Sequence, residues 1–171
     1  YTGVLSAAQL ALVERAQQKA VWGYWYWQNL LGNWDFFKRR ADPIDVPQNI
    51  MFTGYLNLQL AMYRQATGDS SFDEQEALVF DWSPRQRFTF GHQTINSIAI
   101  RNFNQDLHLW PCEPVVSPGR KRGFVFPYCN TVTTAGIAIM DTINGTAFAP
   151  HIASRVEEVL DREYTRAVND L

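Results

Sequence analysis

Asn49-Ile50-Met51-Phe52-Thr53-Gly54-Tyr55-Leu56-Asn57-Leu58-Gln59-Leu60-Ala61-Met62-Tyr63-Arg64-Gln65-Ala66-Thr67 is the stretch on which the fold is read. Met51, Tyr55, Leu58 and Met62 recur at i, i+4, i+7 and i+11, which places them on one face of a helix. Leu56, Leu60 and Tyr63 make a second stripe. Pro47 stands before the run and Gly68-Asp69 follows it, so the helix has a start and a stop. Two apolar stripes require neighbours on two sides, and this predicts an interior helix of a helical protein.

Helical periodicity extends in both directions. From about Ser6 to Val21, Leu5, Ala8, Leu12, Ala16 and Ala20 share a face, with Ser6 placed to cap the N-terminus. From Trp22 to Trp34 four of the six tryptophans are crowded together with Tyr24 and Tyr26. Helical spacing pairs Trp22 with Tyr26 in a segment that is aromatic on nearly every side, and such a segment is buried between layers or lines a cavity. Further helices are expected over about Phe72–Phe80, Gly91–Leu107, Tyr128–Ile143 and Pro150–Asn169, with Ser83-Pro84 as a turn. No convincing period-2 strand pair stands out. The expected fold is all-α, built of antiparallel helix pairs as a bundle, a solenoid or an α/α toroid.

The chain has 171 residues and is 46% apolar, enough to bury a core as one domain or a large piece of one. Fifteen basic residues stand against 17 acidic ones, and the net charge of −2 announces no surface for nucleic acid. The short basic runs Lys38-Arg39-Arg40 and Arg120-Lys121-Arg122 read as solvated loops. No apolar run approaches the ~20 residues that span a bilayer. Asn144-Gly145-Thr146 fits the glycosylation triplet, which matters only in a secreted chain.

The chain has two cysteines, Cys112 in Cys112-Glu113-Pro114 and Cys129 in Phe126-Pro127-Tyr128-Cys129-Asn130. Each lies in a polar, turn-like context near the mouth of a helix, where a core cysteine is seldom found. They are read as pocket thiols, with two alternatives left open: a disulfide across the intervening loop, or inert packing. His92 and His108 lack a partner at ligand spacing, so metal ligation is not expected.

Taken in order, Val21-Trp22-Gly23, Asp42-Pro43-Ile44, the Asn49–Leu58 run, Met62-Tyr63, Thr67-Gly68, Cys112-Glu113-Pro114, Phe126-x-x-Cys129-Asn130 and Asp141 to Gly145-Thr146 resemble the linalool dehydratase/isomerase family over residues 20 to 165. The resemblance implies an (α/α)6 barrel and a lyase/isomerase that needs no cofactor and no metal. It further implies that Cys112, Cys129 and Tyr55 are the proton-active groups. Met51, Phe126, Trp22 and Tyr26 would form the apolar walls around a terpenoid-like alkenol, with Glu113 as a supporting residue. Tyr55 stands where the family has histidine, and Val115 to Gly123 reads as an insertion between the cysteines. The family places an acidic residue and a tyrosine upstream and closing helices downstream. The expectation is therefore one α/α domain over 1–171 that is part of a longer toroid, completed by the rest of a longer chain or by a homo-oligomer.

Dehydration of an allylic alcohol needs an acid for the hydroxyl, a base for the adjacent carbon and an apolar enclosure for a cation-like transition state. A thiol at its ordinary pKa of about 8.5 is neutral at pH 7 and can serve as the acid. A different class, a glycan-processing or non-catalytic toroid domain, would use paired carboxylates, for which Asp35, Asp42 and Glu113 are the candidates.

Overall fold

In the computed structural model, residues 2–32, 41–103, 107–113 and 124–165 are described. Trp34, Asp35, both basic runs and the Val115 to Gly123 insertion lie outside them. The helix α1 (Thr2–Ala16) is followed by α2 (Lys19–Gly32). The expected helix to Val21 breaks at Gln17-Gln18 because the Gln17 side chain is engaged elsewhere. Its Oε1 accepts the Val79 N–H at 2.8 Å, and this ties the bend to a distant strand.

That strand overturns the all-α expectation. Instead of a helix over Phe72–Phe80, a short 3₁₀ turn at Ser71–Asp73 leads to β1 (Leu78–Ser83), which pairs antiparallel with β2 (Gln86–Phe90). Phe80 faces Phe88 and Leu78 faces Phe90, so one face of the hairpin is apolar, while Asp81 and Arg87 pair across the other. Trp22 packs edge-on against Phe80 and Trp82, at 5.8 and 5.6 Å between ring centroids, and Tyr26 stacks on Trp82 at 3.7 Å. The aromatic richness of α2 and the hairpin answer one another, each pair adding about 1 kcal/mol beyond area burial. The chain is mainly helical with one small sheet.

The long helix α3 (Ile50–Thr67) has the predicted limits. Its Asn49 does not cap through the side chain; Asn49 Nδ2 instead donates to Pro43 O at 2.6 Å. The first N–H groups of α3 are taken up by the Cys112 loop, Ile50 N–H by Pro111 O and Met51 N–H by Cys112 O, each at 3.2 Å. Gly68, at φ 74°, closes the other end with its N–H on Arg64 O. Around α3 pack α1, α4 (His92–Arg101) and above all α5 (Pro127–Asn144), which in turn carries α6 (Phe148–Leu160). A short π-helical turn, Asp161–Thr165, follows α6.

Two glycines set the closeness of α3 and α5. A Cβ on Gly54 would overlap Thr133 Oγ1, and one on Gly136 would lie 3.1 Å from the Leu58 backbone. Backbone therefore meets backbone across this contact, and the first turn of α5 is brought beside Tyr55. No helix among the described residues is long and apolar enough to cross a membrane.

Candidate functional site

The N-terminal ends of α3 and α5 converge on the segment Leu109–Glu113. Asn130, fully buried in the first turns of α5, holds this segment in place. Its Oδ1 accepts the Trp110 N–H at 2.8 Å, and its Nδ2 donates to Trp110 O and Phe126 O at 3.1 and 3.0 Å. Cys112 N–H donates to Phe124 O, and Phe124 N–H to Glu113 O at 2.9 Å, forming a one-bridge ladder. These bonds fix the backbone on both sides of Cys112, so the thiol has a set position before any ligand arrives.

Cys112 is fully buried and Cys129 nearly so, and both are free thiols, not joined by a disulfide. The Phe126 N–H points at Cys112 Sγ from 3.0 Å and Asn130 Nδ2 from 3.6 Å. Burial pushes Cys112 up to about 12, and its contact with Cys129 adds to the rise. Burial raises Cys129 too, but there the Cys112 thiol lowers it, as does the backbone of its own helical turn. Both are neutral at pH 7, and the proton leaves Cys129 more readily than Cys112.

Tyr55, in the second turn of α3, interacts with both thiols. Burial raises its phenol to about 12, reinforced by Cys129, Tyr128 and Cys112. The Tyr55 and Tyr128 rings meet edge-on at 5.9 Å. Cys129, Tyr55 and Tyr128 line one side of a cavity of about 670 Å³. Met51 from α3, Trp25 from α2, Phe126 before α5 and Leu12 from α1 supply further walls, so the lining is mostly apolar. Trp25 is fixed by stacking on Phe52 at 6.1 Å.

Of the residues expected at the site, Cys112, Cys129 and Tyr55 come together, and Met51 and Phe126 line the cavity. Trp22 and Tyr26 do not. Their shared i, i+4 face turns to the hairpin, and Trp25, on the other face of α2, takes the wall position. Glu113 is held apart from the lining as well, its carboxylate accepting the Tyr24 hydroxyl, which raises Tyr24. Asp42, a candidate for carboxylate chemistry, is occupied locally: its Oδ1 accepts the N–H groups of Ile44 and Asp45 at 2.7 and 2.8 Å.

Tyr128, Trp25 and Tyr24 were passed over in the sequence. Tyr128 carried a usable signal, since it directly precedes Cys129 at a helix start, where neighbouring side chains flank one opening. Trp25 carried none, because on a helix aromatic all round no spacing tells which face meets the cavity.

The fold and site define a class: a mainly helical domain with a buried thiol pair and a phenol beside a mostly apolar cavity. More particularly, the linalool dehydratase/isomerase family model matches residues 1–170, and the chain belongs to that family. No curated protein and no solved structure gives a significant match.

Proposed function

We propose that this domain is a cofactor-independent lyase/isomerase that dehydrates or isomerises a terpenoid-like alkenol by cysteine acid/base chemistry. The observation that carries the reading is that Cys129 and Tyr55 line one apolar cavity, with the fully buried Cys112 in contact with Cys129 but outside the lining. Cys129 is the reacting thiol, because it lines the cavity and is the more acidic of the two. Its S–H protonates the substrate hydroxyl as the C–O bond breaks and water leaves. The thiolate that remains lies in the first turn of α5, where the helix dipole and the Cys112 S–H stabilise it. It then removes the proton from the carbon next to the cationic centre, forming the alkene and regenerating the thiol. Tyr55 O–H donates to the departing oxygen, and Trp25 and Phe126 offer ring faces to the developing positive charge.

The domain is read as part of an α/α toroid. Leu12, Val21 and Trp27 are about half exposed or less, an apolar surface that further helices would cover, from a longer native chain or from a second copy. Closure would exclude water from the cation.

The test is turnover of tertiary allylic alcohols, followed as released alkene, by the full-length protein and its Cys129→Ser and Cys112→Ala variants. A fall of roughly 10²–10⁴-fold for Cys129→Ser at unchanged melting temperature is expected, the range of a lost acid/base group. Unimpaired turnover by Cys129→Ser would remove the thiol mechanism. Absence of both turnover and alkenol binding in the wild-type protein would favour a non-catalytic domain.

A further inference from the structure

Arg15 lines the same cavity and is the one formally charged side chain among its lining residues. Among the described residues it makes no ion pair and no side-chain hydrogen bond. Gln59 lines the cavity too, one turn along α3 from Tyr55 and about 6 Å further by helical rise. It is half-buried, and among the described residues its amide has no hydrogen-bond partner. No Asp or Glu is among the lining residues. The mostly apolar cavity thus carries a guanidinium and an amide on its wall, neither partnered among the described residues, and no carboxylate to neutralise the guanidinium.

We propose that the ligand of this cavity is an amphipathic monocarboxylate. Its apolar chain lies along the Met51–Tyr55–Gln59 face and its carboxylate is held by Arg15, with the Gln59 amide as second donor. The inference rests on reading the cavity as the substrate site, and it deepens that reading by naming the ligand's other end. Three considerations support it. A guanidinium presents paired N–H groups that fit a carboxylate, and the charged bonds are stronger than neutral ones. An anion entering apolar surroundings needs such a partner to offset its lost hydration. A positive charge on the ligand is disfavoured near Arg15, which assigns the cation-like centre of the proposed reaction to the thiol and aromatic end.

The experiment measures binding of octanoate, 1-octanol and octylamine to the full chain at pH 7.5 by calorimetry, all at concentrations well below micelle formation. The expected order is octanoate tightest, octanol next and octylamine weakest. Arg15→Gln should weaken octanoate by roughly 10–100-fold, the size of a hydrogen bond to a charged group, and leave octanol within about twofold. Gln59→Leu should weaken octanoate by a smaller factor. Arg15 is exposed and makes no ion pair among the described residues, so its variant should keep the wild-type melting temperature. Octanoate binding no tighter than octanol, no binding of either, or an Arg15→Gln affinity equal to wild type overturns the proposal. If octanoate binds through Arg15 while alkenols are not turned over, the lyase reading fails and this one stands. If alkenols are turned over and octanoate shows no preference, the reverse holds.

Discussion

Lowering the pH from 7.5 to 5 should destabilise the fold by about 2 kcal/mol through one residue, His92. It sits at the start of α4, 1% exposed, with Nδ1 3.5 Å from Asp73 Oδ1. Asp73 is paired with Arg64, so the ring faces a neutralised carboxylate. Burial lowers His92 from its ordinary 6.5 to about 4, with a further push from Arg64. Between these values the unfolded chain binds the proton and the folded chain resists it. Stability is therefore complete above the unfolded value and is lost as pH falls toward 4. The full difference of 2.5 units corresponds to about 3 kcal/mol, and about 2 kcal/mol of it is spent by pH 5. The assay is urea unfolding at pH 7.5, 6 and 5 for the wild type and His92→Gln. The readout is how much more stability the wild type loses than the variant, so any uniform cost of the substitution cancels. A difference under about 0.5 kcal/mol between the two pH dependences would refute the assignment of a buried, neutral imidazole.

Other perturbations test the packing and the site. Gly54→Ala should cost about 2 kcal/mol in chemical denaturation, since the new methyl meets Thr133, whose hydroxyl is bound to Cys129 O at 2.7 Å; Thr133→Ala in the same chain should recover part of the loss. Asn130→Ala should cost about 3 kcal/mol, because three bonds to the Trp110 and Phe126 backbones are lost inside the core; a smaller loss than that of Asn96→Ala, where a buried side chain accepts a single bond from Asn57 Nδ2, would argue that the Cys112 loop does not depend on it. Both thiols should react slowly with a disulfide reagent at pH 7.5 in the native protein and at once in denaturant, given that burial raises each; rapid native labelling would contradict the buried pair. Tyr128→Phe should lower the ionisation pH of Tyr55, which spectrophotometric titration near 295 nm would register, because the Tyr128 hydroxyl is one of the groups that raise it.

What could be read in the sequence divides along physical lines. The helices α3 and α5 were legible because each carries its own periodic face over 18 residues, and the Gly68 stop of α3 is local. The hairpin was not. Its alternation of Leu78, Phe80 and Trp82 is interrupted by Val79 and ends in Ser83-Pro84, so periodicity alone did not separate a short strand from a helical turn. It stands because Trp22 and Tyr26 cover its apolar face, which is a long-range fact. The thiol loop was legible as a motif for the opposite reason. Cys112, Phe126 and Asn130 bind one another within a short span of chain. The cavity was not legible, because its walls come from α1, α2, α3 and the start of α5, whose mutual rotation no single segment encodes. The chemistry depends on that second part. Burial is the first cause of the rise at Cys112, Cys129 and Tyr55 alike, and the burying surfaces are these same helices. A Cys-Glu-Pro and a Phe-x-x-Cys-Asn set into another frame would therefore keep their hydrogen bonds and lose the burial that holds the protons on the two thiols. How firmly the two thiols hold their protons is decided by the walls, and so by residues such as Trp25 and Gly54 that the motif does not contain.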